Sequence, residues 1–371
     1  MDFQKEFPLN DDILYLNHAA VAPWPQRTQQ AVQKFAAENA AVGSKHYLRW
    51  LDTEQKLREK LTTLLGAESS DEIALLKSTS EGLSTIAYGL NWKAGDEIII
   101  SNEEFPSNRI VWESLANQGV NLIEVDLKGD HAKNIASAIT EKTRLLAISS
   151  VQYASGRVVN LKALGELCTQ HKILFCVDAI QSLGVMPFNA QEYSADFVVA
   201  DGHKWMLGPE GLAVFYCKKS VQNQLQLNQF GWHMVADAGN FDNKDWSIAG
   251  NAKRFECGSP NMLGAHALEA SLSLILEIGV ERIFSLTQQI HIYLREQLVK
   301  SGFEVLSPTD EFCGITTFKT KAKDHKDLYQ KLMAHNVICA SRGGGIRFSP
   351  NFYQDKHVID KAIAIIKTLL P

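Results

Sequence analysis

The sequence predicts an α/β fold: a mostly parallel seven-stranded sheet with helices between its strands, followed by a smaller α+β C-terminal domain. Two observations carry this prediction. Short apolar runs alternate with helix-period stretches from about residue 50 to residue 217, the signature of strand–helix–strand units that build a parallel sheet. After Met262 the pattern changes to a long helical stretch and then to short strands mixed with helices. A third observation refines the sheet. Gly208-Pro209-Glu210-Gly211 leaves room only for a tight turn before the last strand, so that strand is expected to run antiparallel.

The strands are expected at Glu72–Leu76, Glu97–Ser101, Asn121–Val125, Leu145–Ser149, Ile173–Val177, Phe197–Ala200 and Leu212–Tyr216. Amphipathic stretches between them, Ser84–Leu90, Ile110–Gln118, His131–Ile139 and Leu161–Gln170, are the expected crossover helices. Beyond Met262, the apolar residues Ala265, Leu268, Leu272 and Ile275 keep a helical spacing, and the pattern continues to about Val299 with a break at Gly279. Strands are then expected at Phe303–Leu306, Ile315–Phe318 and Val337–Ala340, with helices near Lys326–His335 and from Lys356. This gives a large domain over residues 16–260 and a small one over residues 261–371, to which residues 1–15 are added. There is no repeat and no low-complexity tract.

Composition is that of an ordinary globular chain, with 45% hydrophobic and 21% charged residues in 371. A net charge of −5 provides no field for nucleic acid or an anionic membrane. The polar N-terminus fits no signal or transit peptide, and the longest apolar runs fall far short of a membrane span. The six cysteines form no C-x-x-C pair and no metal spacing, as in a reduced, cytoplasmic protein. No metal is expected.

Two residues at strand ends carry the most chemistry. Asp178 and Lys204 each stand just beyond an apolar run, Ile173–Val177 and Phe197–Ala200. Open α/β sheets bind ligands at the carboxyl ends of their strands. An acid and a lysine there suit pyridoxal phosphate (PLP), which needs an amine for its Schiff base and a carboxylate to keep its ring nitrogen protonated. Lys204, flanked by Trp205 and Met206, is expected to be partly desolvated, which lowers its amine pKa. Taken singly, Asp178 also reads as a helix N-cap and Lys204 as a snorkelling surface lysine. Ser78-Thr79-Ser80-Glu81-Gly82 opens a helix and reads both as a phosphate cradle and as an ordinary capping box. Gln181, one turn beyond Asp178, reads as a surface amide or as a group turned to the same place. Arg342 and Arg347 flank Gly343-Gly344-Gly345, and arginine is the preferred bidentate partner of a carboxylate. There is no G-x-G-x-x-G, which argues against a nicotinamide enzyme.

In this order, the segments from Tyr15-Leu16-Asn17-His18-Ala19-Ala20 to Arg347 resemble the class V aminotransferase family. This is a branch of the fold-type I PLP enzymes that includes cysteine desulfurases and isopenicillin-N-epimerase-like proteins. The resemblance implies roles. Lys204 would be the Schiff-base lysine, with His203 beside it as a catalytic or phosphate contact. Asp178 would be the pyridinium partner and Gln181 the amide near the phenolic oxygen. Thr79 and Ser80 would bind phosphate, and Phe105 would stack on the ring. Gln152 or Tyr153 would add a further cofactor contact. Ser259 would reach the phosphate of a neighbouring subunit, which implies a homodimer with a shared active site. Arg347 would anchor the substrate carboxylate, with Arg342, Asn17 and His18 bordering the substrate.

Two departures from the family stand out. Cysteine desulfurases carry a nucleophilic cysteine in the loop between the positions matched by Arg342 and Arg347; here that loop is Gly343-Gly344-Gly345, which argues against persulfide chemistry. Asp201 stands where many relatives have a phosphate-binding serine, and a carboxylate repels phosphate unless it is paired or turned away. The expected activity is that of a PLP enzyme acting on an amino acid through an external aldimine. An aminotransferase is the first expectation, and a C–S or β-elimination lyase or an epimerase of the same family is the alternative. A PLP-fold binding protein without turnover is the alternative of another class. Trp24 and Trp232-His233 mark loops that border the substrate or a dimer interface.

Overall fold

The computed structural model describes residues 3–370 apart from 310, 312 and 323. In chain order its regular elements are α1 (Phe3–Glu6), β1 (Leu14–Tyr15), α2 (Gln26–Val42), α3 (Tyr47–Leu65), β2 (Ile73–Leu76), α4 (Thr79–Gly89), β3 (Glu97–Ser101), α5 (Ser107–Glu113), β4 (Asn121–Val125), α6 (His131–Ala138), β5 (Thr143–Ser149), α7 (Leu161–His171), β6 (Leu174–Asp178), β7 (Phe197–Asp201) and β8 (Ala213–Cys217). There follow α8 (Met262–Ile278), α9 (Val280–Lys300), β9 (Glu304–Val305), β10 (Thr316–Lys319), α10 (His325–Ala334), β11 (Val337–Ile338), β12 (Ala340–Arg342), β13 (Gly345–Phe348) and α11 (Lys356–Leu369).

The central sheet has seven strands in the order β2-β8-β7-β6-β5-β3-β4. β8 runs antiparallel to both β2 and β7, and the other neighbouring pairs are parallel. The inner strands carry apolar runs because both faces are covered, whereas the edge strand β4 keeps exposed Asn121 and Glu124. Along β3, Ile98 and Ile100 enter the layer that holds Leu83, Ile86 and Trp112 of α4 and α5, whereas Ile99 enters the layer of Leu57 and Leu61 of α3 and Leu164 of α7. The period of two thus survives inside a run with no polar residue.

The second layered unit is a four-stranded antiparallel sheet, β12-β13-β10-β9. Its core draws Leu294 and Leu298 from α9, Leu328 and Leu332 from α10, and Ile359, Ile363 and Ile366 from α11. β1 and β11 form a separate two-stranded parallel sheet, which fastens the N-terminal segment to this unit. The helical stretch after Met262 breaks at Gly279, where a φ of +88° suits a residue without a Cβ, and the two halves bend by 81°. α8 packs along α2 and α3 and contributes Leu268, Leu272 and Ile275 to the core on one face of the large sheet.

Two parts of the structure differ from the reading of the sequence. α2 and α3 fall outside the expected elements. Their mean hydropathy is low, and Thr28 is the one buried residue of α2. The Gly343–Gly345 stretch is a β-hairpin rather than a plain loop: Gly343 and Gly344 form its two-residue turn with φ of +57° and +79°, the combination that a type I′ hairpin turn requires.

Candidate active site

The carboxyl edge of the large sheet holds a cavity of about 270 Å³, lined by Ser78, Thr79, Ser80, Phe105, Tyr153, Asp178, Gln181, Asp201, His203, Lys204, Arg342 and Arg347 among others. Five of the lining segments follow β2, β3, β5, β6 and β7, which run in one direction and release their loops to one edge, whereas Arg342 and Arg347 reach it from the small sheet and Ala19, Ala20 and Val21 from the N-terminal segment.

β2 leads into α4 through a capping box. Ser78 Oγ accepts from the Glu81 amide at 3.2 Å, and Glu81 reaches back to the Lys77 amide at 2.6 Å. The cap and the cradle thus coexist: Ser78 closes the helix start, and Thr79 and Ser80 stand in its first turn, lining the cavity. Thr79 Oγ1 accepts from the Asp201 amide at 3.0 Å, which ties α4 to the end of β7, and Ser80 Oγ donates to Ser107 Oγ at 2.9 Å. Gly82 permits this approach; a Cβ there would stand 2.7 Å from Val199 of β7. Hydroxyls at a helix N-terminus are suited to an anionic group.

Asp178 ends β6, and its Oδ1 accepts from the Ile180 amide at 3.0 Å. Burial pushes its carboxyl above the usual range; the Ile180 bond and Lys204 oppose that shift. Lys204 is 9% exposed. Burial pulls its amine below the ordinary lysine value, against the attraction of Asp178, and Arg347 adds to the lowering. Its Nζ lies 5.6 Å from the centre of the Phe105 ring, which packs edge-on against Tyr153. Arg347, on β13, is buried, donates from Nη1 to the Tyr153 carbonyl at 2.6 Å, and has no hydrogen-bond partner on Nε. Burial and Arg342 lower its pKa to about 10, so it stays charged at neutral pH. Gln181 receives the indole N–H of Trp205 at 2.9 Å and donates to the Ala19 carbonyl at 3.0 Å.

Several expected residues take other places. Gln152 is buried away from the cavity, donating to Glu104 at 2.8 Å; of the pair, Tyr153 lines the cavity. The Asn17 and His18 side chains do not line it either. His18 is held between the Ser349 carbonyl at 2.8 Å and the Tyr353 hydroxyl at 2.6 Å. Ser259 lies in a separate depression with Cys257, Gly258 and Pro260. Asp201 is paired: its Oδ1 is 2.8 Å from His203 Nδ1. None of the cysteines lines the cavity, and burial raises the thiols of Cys313 and Cys339, those of the C-terminal part, to about 12. Glu104, an unremarked acid in a polar stretch of sequence, proves to be a buried organiser that takes Asn108, the Ser149 amide and Gln152 behind Phe105. Only the fold reveals it, because nothing local marks an acid that will be buried.

The residues present fit PLP. Hydroxyls and a helix start suit its phosphate, and a buried lysine with a depressed pKa suits its aldehyde. A buried carboxylate suits its ring nitrogen, and an arginine with free donors suits the carboxylate of an amino acid.

Comparison with known proteins gives the family and the fold. The profile of the family described as "Aminotransferase class-V" matches residues 14–351. A relative from Methanothermobacter thermautotrophicus named "Probable cysteine desulfurase" is 31% identical, covering 92% of this chain and 86% of its own. Among solved structures, the apo cysteine desulfurase of Thermococcus onnurineus NA1 superposes with a TM-score of 0.90 at 24% identity, covering 100% of this chain and 97% of the other. The cystine C-S lyase C-DES in complex with cysteine persulfide gives 0.91 at 21% identity, with 98% and 100% covered. At these identities the solved structures speak for the fold.

Proposed function

The chain belongs to the class V aminotransferase family of PLP-dependent, fold-type I enzymes, and from that premise we propose that it is a lyase that cleaves the C–S bond of a cysteine-derived amino acid by β-elimination. The named relatives favour a lyase over the aminotransferase expected first. One observation directs the reading towards elimination rather than desulfuration. The hairpin between Arg342 and Arg347 turns on two glycines, and no thiol reaches the cavity among the described residues. Sulfur therefore departs with the leaving group instead of being captured on the protein.

Bound PLP supplies the electron sink that makes the substrate α-proton acidic. The protein supplies the rest. Arg347 takes the substrate carboxylate and thereby orients the α-carbon. Lys204 removes the α-proton at Nζ, and burial favours the neutral amine that this requires. Asp178, buried at the cavity, would face the ring nitrogen and keep it protonated. Phe105, which lines the cavity, would stack on the ring and limit water there. The C–S electron pair leaves on sulfur as thiolate, and hydrolysis of the remaining fragment releases pyruvate and ammonia. A homodimer in which Ser259 serves the partner's cavity belongs to the same proposal, supported by the position of Ser259 outside its own cavity.

The test offers the PLP-loaded protein L-cystine, L-cysteine and β-chloro-L-alanine. Pyruvate and ammonia should form in equal amounts without any 2-oxoacid acceptor, and Lys204→Ala should abolish both. Product that forms only with an acceptor would make the enzyme an aminotransferase. Alanine formed with sulfur retained on the protein would make it a desulfurase.

A further inference from the structure

Asp201 puts a carboxylate where the cofactor phosphate is to be bound. It is 8% exposed and lines the same cavity as Thr79 and Ser80. Its backbone amide is fixed on Thr79 Oγ1 at 3.0 Å, so the residue cannot withdraw without releasing α4. Left alone, this charge would repel an anion held on the same helix start.

It is not alone. Asp201 Oδ1 and His203 Nδ1 are 2.8 Å apart. Both atoms are buried, neither has a hydrogen-bond partner elsewhere, and their own close approach falls short of full hydrogen-bond alignment. Two lone pairs do not face one another at that separation, so a proton lies between them. Placed on the imidazole, that proton satisfies both atoms. Nδ1 is thereby fixed as the donor, and Nε2 is the remaining polar atom of a ring that lines the cavity. The backbone holds the geometry from both sides. Gly202 donates to Leu212 at 2.9 Å, His203 accepts from the Ala22 amide at 2.8 Å, and a Cβ on Gly202 would stand 3.0 Å from the Leu212 carbonyl.

We propose that Asp201 is a positioning residue for the cofactor phosphate: it holds the His203 ring by Nδ1–H, the ring carries a second proton on Nε2 when phosphate is bound, so that Nε2–H donates to the anion beside Thr79 and Ser80, and the imidazolium offsets the carboxylate's charge. In this way an acid replaces a phosphate-binding hydroxyl. The proposal concerns retention of the cofactor and does not depend on which bond the enzyme breaks.

The sign of the effect makes it testable. Simple charge repulsion says that removing a carboxylate beside an anion site tightens anion binding. Positioning says the opposite. Apo protein is titrated with PLP and, separately, with pyridoxal, which lacks the phosphate, and binding is followed by absorbance. Asp201→Ala should weaken PLP by about tenfold, as loss of an outer partner of a binding group does, and leave pyridoxal within about twofold. In a His203→Ala background the carboxylate is unpaired, and Asp201→Ala should then strengthen PLP binding. Asp201→Asn keeps the accepting oxygen and should bind PLP no tighter than the wild type; it stands in if Asp201→Ala does not fold. Tighter PLP binding by either single variant, equal loss of PLP and pyridoxal, or the same sign of effect in both backgrounds overturns the proposal.

Discussion

At the scale of single residues, the site sets two buried ionisable groups against each other. Burial lowers the Lys204 amine and raises the Asp178 carboxyl, and each partly restores the other. That balance suits a lysine that must be neutral to act as a base and an acid that must share its charge with a ring nitrogen. Arg347 has a different role. It is buried, it stays charged, and its fork is anchored at one end on the Tyr153 carbonyl. A lysine in its place keeps the charge and loses the fork. Arg347→Lys should therefore raise KM for the amino acid by roughly 10- to 100-fold, the loss typical of a bidentate contact, and change kcat less. Steady-state kinetics check this, and an unchanged KM would remove the role. Arg342 is exposed, so solvent screens its charge and Arg342→Ala should have the smaller effect.

At the scale of elements, the loops that build the site are held by buried polar contacts beneath them. Arg58 of α3 shows this most plainly. Its Nη1 donates to the Ile73 carbonyl of β2 at 2.9 Å, and its fork grips Glu256 at 2.6 and 2.7 Å and also reaches Glu54. Glu256 in turn accepts from the Leu75 amide at 2.8 Å. One arginine thus joins a helix, an edge strand and the segment that carries Ser259. The guanidinium is 1% exposed and both carboxylates nearly so. Removing one partner of such a cluster strands the others without water, at a cost of about 3–5 kcal/mol. Arg58→Met should lower the stability to urea by that order. A midpoint unchanged from the wild type would show the cluster to be neutral.

At the scale of the whole molecule, the start of the chain fastens the C-terminal sheet to the cavity. β1 pairs with β11, the Ala19 amide donates to Ser349 Oγ at 3.0 Å, and the Ala19 carbonyl and Ala22 amide engage Gln181 and His203. His18 sits at the centre of this junction, fully buried, and burial lowers its pKa to about 4. The folded state therefore keeps it neutral while the unfolded chain, with a value near 6.5, takes up a proton. Between these values the unfolded state binds more protons, so stability falls as pH drops from about 6.5 towards 4 and this contribution is constant below that. The full shift corresponds to roughly 3 kcal/mol; buried His291, lowered to about 3, acts with the same sign. His18→Gln should lose less stability than the wild type between pH 7 and pH 5 in urea titrations. An equal loss would assign the acid sensitivity elsewhere.

The large sheet was legible because its inner strands are runs apolar on both faces, a pattern that needs no partner to be seen. Asp178 and Lys204 were legible for the same reason, since they stand where such runs end. α2 was not, because Thr28 is its one buried residue and the rest of its face is completed by α8 from far along the chain; α3 does carry a stripe, Trp50, Leu57, Leu61, Leu64 and Leu65, but with buried Glu54 and Arg58 set into it. The roles of Gln152, Glu104 and Asp201 were hidden likewise. An amide or an acid has the same appearance in sequence whether it faces a cofactor or a buried partner. By itself, then, the sequence determined the sheet, the placing of Asp178 and Lys204 at its strand ends and the absence of a loop cysteine, all set by residue type and local order. The tertiary structure alone decided which polar side chains face the cavity, because that depends on hydrogen-bond partners brought from distant segments.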